Sequence, residues 1–155
     1  MNPGVYQVGI RCLQWLGSFE SLSRPIDHFC KVWQRHRKLR SHLSAQHFDG
    51  VIDGGANIGE FAQIVCATLP KADLICVEPH PECARTLRKE GFRLVEAALW
   101  KEPAQLRLIQ PTSAPTSSTV MADHEPAERA WEVDAVRLDS LPISGSRLLV
   151  KLDLQ

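Results

Sequence analysis

Residues 51–62 read VIDGGANIGEFA, an apolar run that meets a glycine-rich turn and continues into a helical pattern. Residues 48–53 predict a short strand, and apolar residues at three- and four-residue steps from Phe61 predict a helix that ends before Pro70. Glycines between a strand and a helix permit a tight turn and the close approach of a ligand to the backbone. The first N–H groups of a helix are also free to bind an anion. The stretch therefore predicts a ligand-binding turn at the carboxyl edge of a sheet.

Strands and helices alternate along the rest of this half of the chain. The predicted elements are a strand at 74–78, a helix at 81–90 with Gly91 as its C-cap, a strand at 92–99, an inserted strand pair at 104–109 and 131–138 around a Pro/Ser/Thr-rich loop at 111–119, and a strand at 148–153. This alternation and spacing predict an α/β fold with a parallel sheet and right-handed crossovers.

The N-terminal part of the chain has a different character. Residues 5–22 and 26–44 predict two helices, and the first 48 residues carry seven lysines and arginines against two acids. The remaining residues carry a net charge of −5, although the whole chain is neutral. This shift predicts a helical extension at 1–47 and a second unit at 48–155. The basic second half of the 26–44 helix is either a solvated helix end or a face for an anionic acceptor, partner or membrane.

Composition excludes several classes of protein. At 155 residues, with 44% hydrophobic and 23% charged residues, the chain is typical of a single globular domain. A net charge of zero argues against a nucleic-acid binder. Five cysteines with no C-x-x-C spacing fit neither a disulfide framework nor a zinc site, so we expect reduced thiols, no metal and a cytoplasmic location. We also expect no transmembrane segment and no signal peptide.

An acidic residue at the end of the next predicted strand completes a nucleotide-type site. Glu78 lies 25 residues after Asp53, where a carboxylate can accept both hydroxyls of a ribose. The dinucleotide pattern G-x-G-x-x-G is matched only in degraded form, by Gly54, Ala56 and Gly59, and no Gly-Lys-Ser/Thr follows as in a P-loop. A nicotinamide-dependent oxidoreductase therefore remains an alternative.

The pattern Asp-x-Gly-x-x-x-Gly, formed by Asp53, Gly55 and Gly59, resembles the first motif of S-adenosylmethionine-dependent methyltransferases. Further blocks follow in order: VEPHP (77–81), EAALW (96–100), VDAVRLDSL (133–141) and VKLDLQ (150–155). Together they resemble the FkbM-type methyltransferases over about residues 48–155. The resemblance implies a Rossmann-like class I methyltransferase sheet, preceded here by the two N-terminal helices, and S-adenosylmethionine as the methyl donor.

The resemblance also implies roles for individual residues. The implied donor-binding residues are Asp53, Gly54, Gly55, Ala56, Asn57, Gly59, Glu78, Pro79, Ala97, Ala98 and Leu99. Asp53 and the turn backbone would face the methionine part, Glu78 would hold the ribose, and residues 97–99 would lie beside the adenine. Lys151 and Asp153 would end the fourth core strand near the acceptor side, with Asp153 as the catalytic candidate. No further residue identifies itself as a general base.

Each of these residues also has a structural explanation. The glycines could serve a tight turn alone, Asp53 could be an N-cap, and Asp153 could be an ordinary strand-end acid. His80 and His124 lie in loops beside prolines, without a ligand-like partner, and we interpret both as surface residues.

The family pattern implies O-methylation of a small-molecule or saccharide hydroxyl. It also implies a seven-stranded sheet, of which this chain supplies the first four core strands and the inserted pair. We therefore expect a sheet that is incomplete at the C-terminus, with an open edge that allows a homodimer. A truncated, non-catalytic donor-binding or interaction module is the remaining alternative.

Overall fold

The computed structural model describes residues 36–111 and 127–154. Its elements, in chain order, are α1 (Arg37–Ser44), β1 (Gly50–Gly54), α2 (Glu60–Thr68), β2 (Asp73–Val77), α3 (Pro81–Lys89), β3 (Leu94–Val95), β4 (Ala98–Leu99), β5 (Ala104–Pro111), β6 (Ala127–Val136), a 3-10 turn (Leu138–Ser140) and β7 (Leu148–Leu152). The predicted helix at 5–22, most of the helix at 26–44, most of the loop at 111–119 and His124 lie outside the described residues.

A four-stranded parallel sheet with the order β3-β2-β1-β7 forms the centre of the molecule. From β1 the chain runs through β2 to β3 at one edge and later returns to place β7 on the opposite side of β1. This order brings the carboxyl ends of β1 and β7 together at a topological switch point, where open α/β sheets bind their ligands. The predicted Rossmann-like α/β fold is confirmed. The incompleteness of the sheet at its C-terminal end stays a prediction.

Helices cover one face of this sheet. Ala62 of α2 and Leu87 of α3 pack with Cys76 of β2, and Leu43 of α1 packs with Ile64 of α2. The other face is covered by the segment after β6, where Leu141 packs on the inner strands. All five residues of β1 are buried because both faces of this central strand are covered. The boundary between 47 and 48 stays a prediction, although α1 already packs on the sheet unit.

The predicted strand at 92–99 is wrong as a single element. Val95 pairs with Val77, the last residue of β2, and the chain then leaves the parallel sheet. Ala98 and Leu99 form β4, which pairs instead with β6 in a second sheet of order β4-β6-β5. The last backbone bond between the two segments runs from Glu78 N to Val95 O at 3.1 Å, and the residues from Ala98 onward pair with β6 instead.

The alternation in the sequence predicts the two inserted strands, and the structure pairs them as an antiparallel hairpin. β5 pairs with β6 from Ala104 opposite Ala135 to Pro111 opposite Ala127. Its inner side chains, including Leu108 and Val133, form a small core of their own with Ala98 of β4. The hairpin therefore has its own packing and joins the main sheet next to the end of β3.

The end of α3 agrees with the sequence in detail. Gly91 adopts a left-handed φ of 79° one residue after the C-cap Glu90. Its N–H donates to Arg88 O and that of Phe92 donates to Leu87 O, at 3.0 and 3.1 Å. These two bonds define a Schellman motif, which positions the start of β3 beside β2.

Candidate functional site

The glycine turn between β1 and α2 uses three left-handed residues. Gly55, Asn57 and Gly59 have φ values of 70°, 50° and 90°, and Gly59 is the N-cap of α2. Glycine adopts this region at little cost, and asparagine tolerates it better than most residues. A Cβ on Gly59 would lie 2.9 Å from Leu87 Cδ2, so this position is also restricted by packing against α3.

Four N–H groups of this turn, those of residues 55, 56, 57 and 59, are used within the protein. The expectation that the first N–H groups of α2 are free for an anion stays a prediction. Those of Gly55 and Ala56 donate to Val77 O at 2.9 and 3.2 Å, and that of Gly59 donates to Ala56 O at 2.8 Å. The N–H of Asn57 donates to Glu78 Oε2 at 2.7 Å. The carbonyl oxygens of the turn are used as well: Gly54 O accepts the N–H of Asp153, and both Gly54 O and Gly55 O accept Lys151 Nζ. The backbone of the turn therefore already binds one cationic group.

Glu78 stands at the end of β2 with a buried, oriented carboxylate. It is 7% exposed, and its Oε1 accepts the N–H of His80 at 2.9 Å while Oε2 accepts that of Asn57. Each carboxylate oxygen keeps a second lone pair, so the group can still accept a hydroxyl. These bonds fix Glu78 to both the glycine turn and the start of α3, beside the turn as the sequence predicts.

The side chain of Asp53 is more deeply buried than its predicted contact with a ligand requires. Its side chain is 0% exposed on the helical face of the sheet, and Lys151 of β7 lies opposite it in register. Lys151 Nζ lies 3.0 Å from Asp53 Oδ1 as an ion pair, at an angle that misses a hydrogen bond. Burial raises the pKa of Asp53, and the ammonium of Lys151 opposes that rise. Among the described residues, neither carboxylate oxygen accepts a hydrogen bond.

Lys151 also binds the turn itself. Its Nζ donates to Gly55 O at 2.8 Å and to Gly54 O at 3.3 Å, and it lies 6.0 Å from the ring centre of Phe61. The sequence assigns Lys151 to the acceptor side, but the structure places its ammonium inside the turn. The apolar run LLVKL contains a lone cation, which indicates that Lys151 has a partner, but the sequence does not show that the partner is Asp53.

The chain after β7 passes directly over the turn. The N–H of Asp153 donates to Gly54 O at 3.0 Å, and a Cβ on Gly55 would lie 2.1 Å from Asp153 O. The side chain of Asp153 is exposed. The predicted catalytic acid is therefore brought to the same edge as the predicted donor-binding residues, with its carboxylate open to solvent.

The remaining predicted residues surround this edge. Ala97 and Ala98 are buried, and Leu99 packs against the core beneath β1. Ala56 is also buried, in the cluster that contains Cys76 and Leu87, and Pro79 is half-buried between Glu78 and His80. The structure thus places all the predicted positions around one end of the sheet, although their roles toward a ligand stay predictions.

Near the site, His80 differs from its interpretation in the sequence, and Trp131 was not predicted. His80 is half-buried rather than a plain surface residue, and its Nδ1 accepts the N–H of Glu82 at 3.2 Å as the N-cap of α3. Its ring lies 4.5 Å from that of Trp131 on the inserted hairpin. Arg129 of the same hairpin pairs with Glu82 at 2.8 Å. The hairpin reaches His80 through strand pairing between residues that are distant in the chain. No local pattern in the sequence therefore predicts that Trp131 lies beside His80.

Cys76 and Cys83 are not activated as nucleophiles. Burial raises the pKa of the Cys76 thiol, and it raises that of Cys83 to about 11. Cys83 Sγ donates to Asn57 Oδ1 at 3.4 Å, which links α3 to the turn. Within 36–111 and 127–154, no group of three or more His, Cys, Asp or Glu residues could hold a metal ion. In the same ranges, no helix is long and apolar enough to cross a membrane.

Comparisons with known proteins add little to this geometry. No family model matches the chain, so the FkbM-type resemblance stays a prediction from the motifs. No curated protein matches it either.

Three matching crystal structures are of the plantazolicin methyltransferase BpumL. Two are complexes with SAH and a monoazolic or pentazolic desmethylPZN analog, at 12% and 13% identity and a TM-score of 0.35. A third, with SAH, has 13% identity and a TM-score of 0.33. Each match covers 63% of this chain and 43–44% of the other, so the chain spans less than half the length of these proteins. At these TM-scores, the fold assignment rests on the strand order.

Proposed function

We propose that this chain carries the donor-binding part of an S-adenosylmethionine-dependent methyltransferase. The polarity of the glycine turn is the observation that supports this function best. Its N–H groups are used internally, while the carbonyls of Gly54 and Gly55 and the carboxylates of Asp53 and Glu78 gather at one edge. A pyrophosphate needs N–H donors, whereas ammonium and sulfonium groups are stabilised by oxygen acceptors. This polarity favours a cationic donor without phosphates over NAD.

We assign the donor's parts to residues around the turn. Glu78 would accept the ribose hydroxyls through its remaining lone pairs, because its buried carboxylate is already oriented by two backbone N–H groups. The oxygens of residues 53–55 would receive the amino-acid end, and residues 97–99 would lie beside the base. The buried carboxylate of Asp53, which accepts no hydrogen bond and now has Lys151 as its counter-charge, fits a donor group of this charge.

Methyl transfer would then depend mainly on how the donor and the acceptor are positioned. A bound donor supplies a methyl group that its sulfonium already activates, and holding two reactants in line can contribute about 7–11 kcal/mol. The acceptor oxygen loses its proton as it gains the methyl group, so a nearby carboxylate helps. Asp153 is our candidate for orienting the acceptor or taking this proton, because its exposed side chain follows β7 at the same edge.

The class of methyl acceptor is a more specific part of the proposal. The FkbM-type resemblance favours O-methylation of a small-molecule or saccharide hydroxyl. A homodimer through β7 is also consistent with its side chains, because Leu148, Val150 and Leu152 are 42%, 40% and 54% exposed.

A ligand screen by thermal shift tests the donor class. We expect S-adenosylmethionine and S-adenosylhomocysteine to raise the melting temperature of the chain and NAD to leave it unchanged. Glu78→Gln should weaken that response, while Glu102→Gln, which changes an exposed acid paired only with Lys101 in the described part, should keep it. Stabilisation by NAD alone would support the oxidoreductase and contradict the proposal.

A further inference from the structure

Three oxygens surround the ammonium of Lys151 at the carboxyl edge of the sheet. Gly55 O lies 2.8 Å from Nζ, Asp53 Oδ1 lies 3.0 Å away and Gly54 O lies 3.3 Å away. A primary ammonium carries three N–H donors and no acceptor. Lys151 Nζ donates to the two carbonyl oxygens, and the carboxylate of Asp53 balances its charge as an ion pair. The set comes entirely from β1 and its turn, and it forms a pocket for a primary ammonium group.

The position of this pocket is unusual for a structural lysine. It lies between β1 and β7, which is the switch point of the strand order and the expected place for a ligand. Lys151 is 25% exposed along its side chain, whereas Asp53 behind it is 0% exposed. Lys151 is thus the solvent-accessible member of this ion pair, and Asp53 is the buried one.

Burial of Asp53 restricts what can replace Lys151. Removing one member of a buried ion pair leaves an uncompensated charge, which is strongly unfavourable. An incoming ligand therefore keeps the fold intact only if it brings its own ammonium to the same oxygens. The long, flexible stem of Lys151 leads from β7 past Phe61, which gives the displaced ammonium a route toward solvent.

We propose that Lys151 is a specificity-determining residue whose ammonium fills the Asp53–Gly54–Gly55 pocket until a ligand with a primary ammonium group exchanges for it. The inference rests on the proposed function for the identity of the ligand, the amino-acid end of the donor. The pocket itself is a property of this chain. It selects a primary ammonium over a quaternary one because only the former supplies N–H donors to the carbonyl oxygens of Gly54 and Gly55.

Chemical rescue tests the pocket without the donor. Lys151→Ala should lower the melting temperature, and propylammonium chloride should restore it saturably, whereas tetramethylammonium chloride and propanol should not. Lys101→Ala, which removes an exposed lysine, should show no amine-specific rescue. A folded Lys151→Ala chain that responds equally to all three additives would overturn the pocket.

Measurements on the unmodified protein and on Lys151→Met test the exchange. Binding of S-adenosylhomocysteine should raise the rate at which Lys151 is acetylated at least fivefold, with the rate at Lys101 unchanged. Lys151→Met should bind S-adenosylhomocysteine about tenfold more tightly at pH 8. Protection of Lys151 by the ligand, or weaker binding by Lys151→Met, would overturn the exchange. Amine rescue without any binding of S-adenosylhomocysteine would contradict the proposed function and leave the ammonium pocket standing.

Discussion

Replacing Gly55 with alanine should destabilise the protein far more than the same change at Gly91. Both glycines have a left-handed φ, of 70° and 79°, so both substitutions force an alanine into a region that costs about 1–2 kcal/mol. Around Gly91 no atom lies within 4 Å of the added Cβ, whereas at Gly55 the backbone oxygen of Asp153 lies 2.1 Å away. The contact with Asp153 is therefore the main difference between the two sites.

The expected loss of unfolding free energy in Gly55→Ala follows from the segment of the chain that must move. A backbone oxygen cannot remain 2.1 Å from a Cβ, so the segment after β7 must shift and lose the bond from Asp153 N to Gly54 O. That bond contributes about 0.5–1.5 kcal/mol. We therefore expect Gly91→Ala to lower the free energy of unfolding by about 1–2 kcal/mol and Gly55→Ala by about 3 kcal/mol in total.

Urea unfolding of the two variants beside the unmodified chain measures this difference. The midpoint should shift further for Gly55→Ala, with an unchanged slope, because stability rather than the extent of unfolding differs. Equal losses for the two variants would refute the close approach of Asp153 to the turn. A smaller loss at Gly55 than at Gly91 would refute it more strongly.

Three further predictions follow from the same geometry. Glu78→Gln should lower stability by about 1–3 kcal/mol in urea unfolding, because an amide cannot accept both backbone N–H groups that its two oxygens now accept; an unchanged midpoint would contradict these bonds. Asn57→Ala should cost about 1 kcal/mol and Asn57→Gly less, because φ is 50° there; the reverse order would be inconsistent with a left-handed turn. Hydrogen bonds from Ser146 and from Arg147 N lower the pKa of Asp49 below 3.8, so its contribution is present at neutral pH and lost as the pH falls through that lowered pKa. Asp49→Asn should accordingly be less stable than the unmodified chain at pH 7, and the difference should disappear as the pH falls below the lowered pKa of Asp49; a gap that is constant with pH would refute the assignment.

The local elements of this fold could be predicted because each is encoded within a few residues. The buried run before Gly54, the helical spacing after Gly59 and the break at Pro79 all depend on neighbouring side chains. The Schellman motif at Gly91 is equally local, since it needs only a glycine after the last helical turn. These signals place β1, α2, β2 and α3 within a few residues of their observed bounds.

Features that depend on distant pairing could not be predicted. The split of the 92–99 strand depends on β6, more than thirty residues away, where Ala98 finds Ala135 as its partner. The ion pair of Asp53 with Lys151 joins positions that are far apart in the chain and depends on the register of β7 against β1. Alternation along one strand shows which of its side chains share a face, but it does not show which strand pairs with it. These contacts can therefore be identified only in the assembled sheet.

In the candidate site, too, some features could be predicted from the sequence and others depend on contacts between distant segments. The sequence places Asp53, Glu78 and the glycine turn together because carboxyl ends of parallel strands meet at one edge. It does not show that Val77 O and Glu78 use the N–H groups of the turn, since those bonds depend on how closely β2 approaches the turn. Four N–H groups of the turn are therefore already bound within the protein.

Calorimetric titration of the chain with S-adenosylhomocysteine tests the central claim most directly. We predict saturable binding of one molecule per chain, reduced at least tenfold by Glu78→Gln and unaffected by Glu102→Gln. A chain that unfolds cooperatively yet gives no binding heat and no thermal stabilisation with S-adenosylhomocysteine or S-adenosylmethionine would contradict the account.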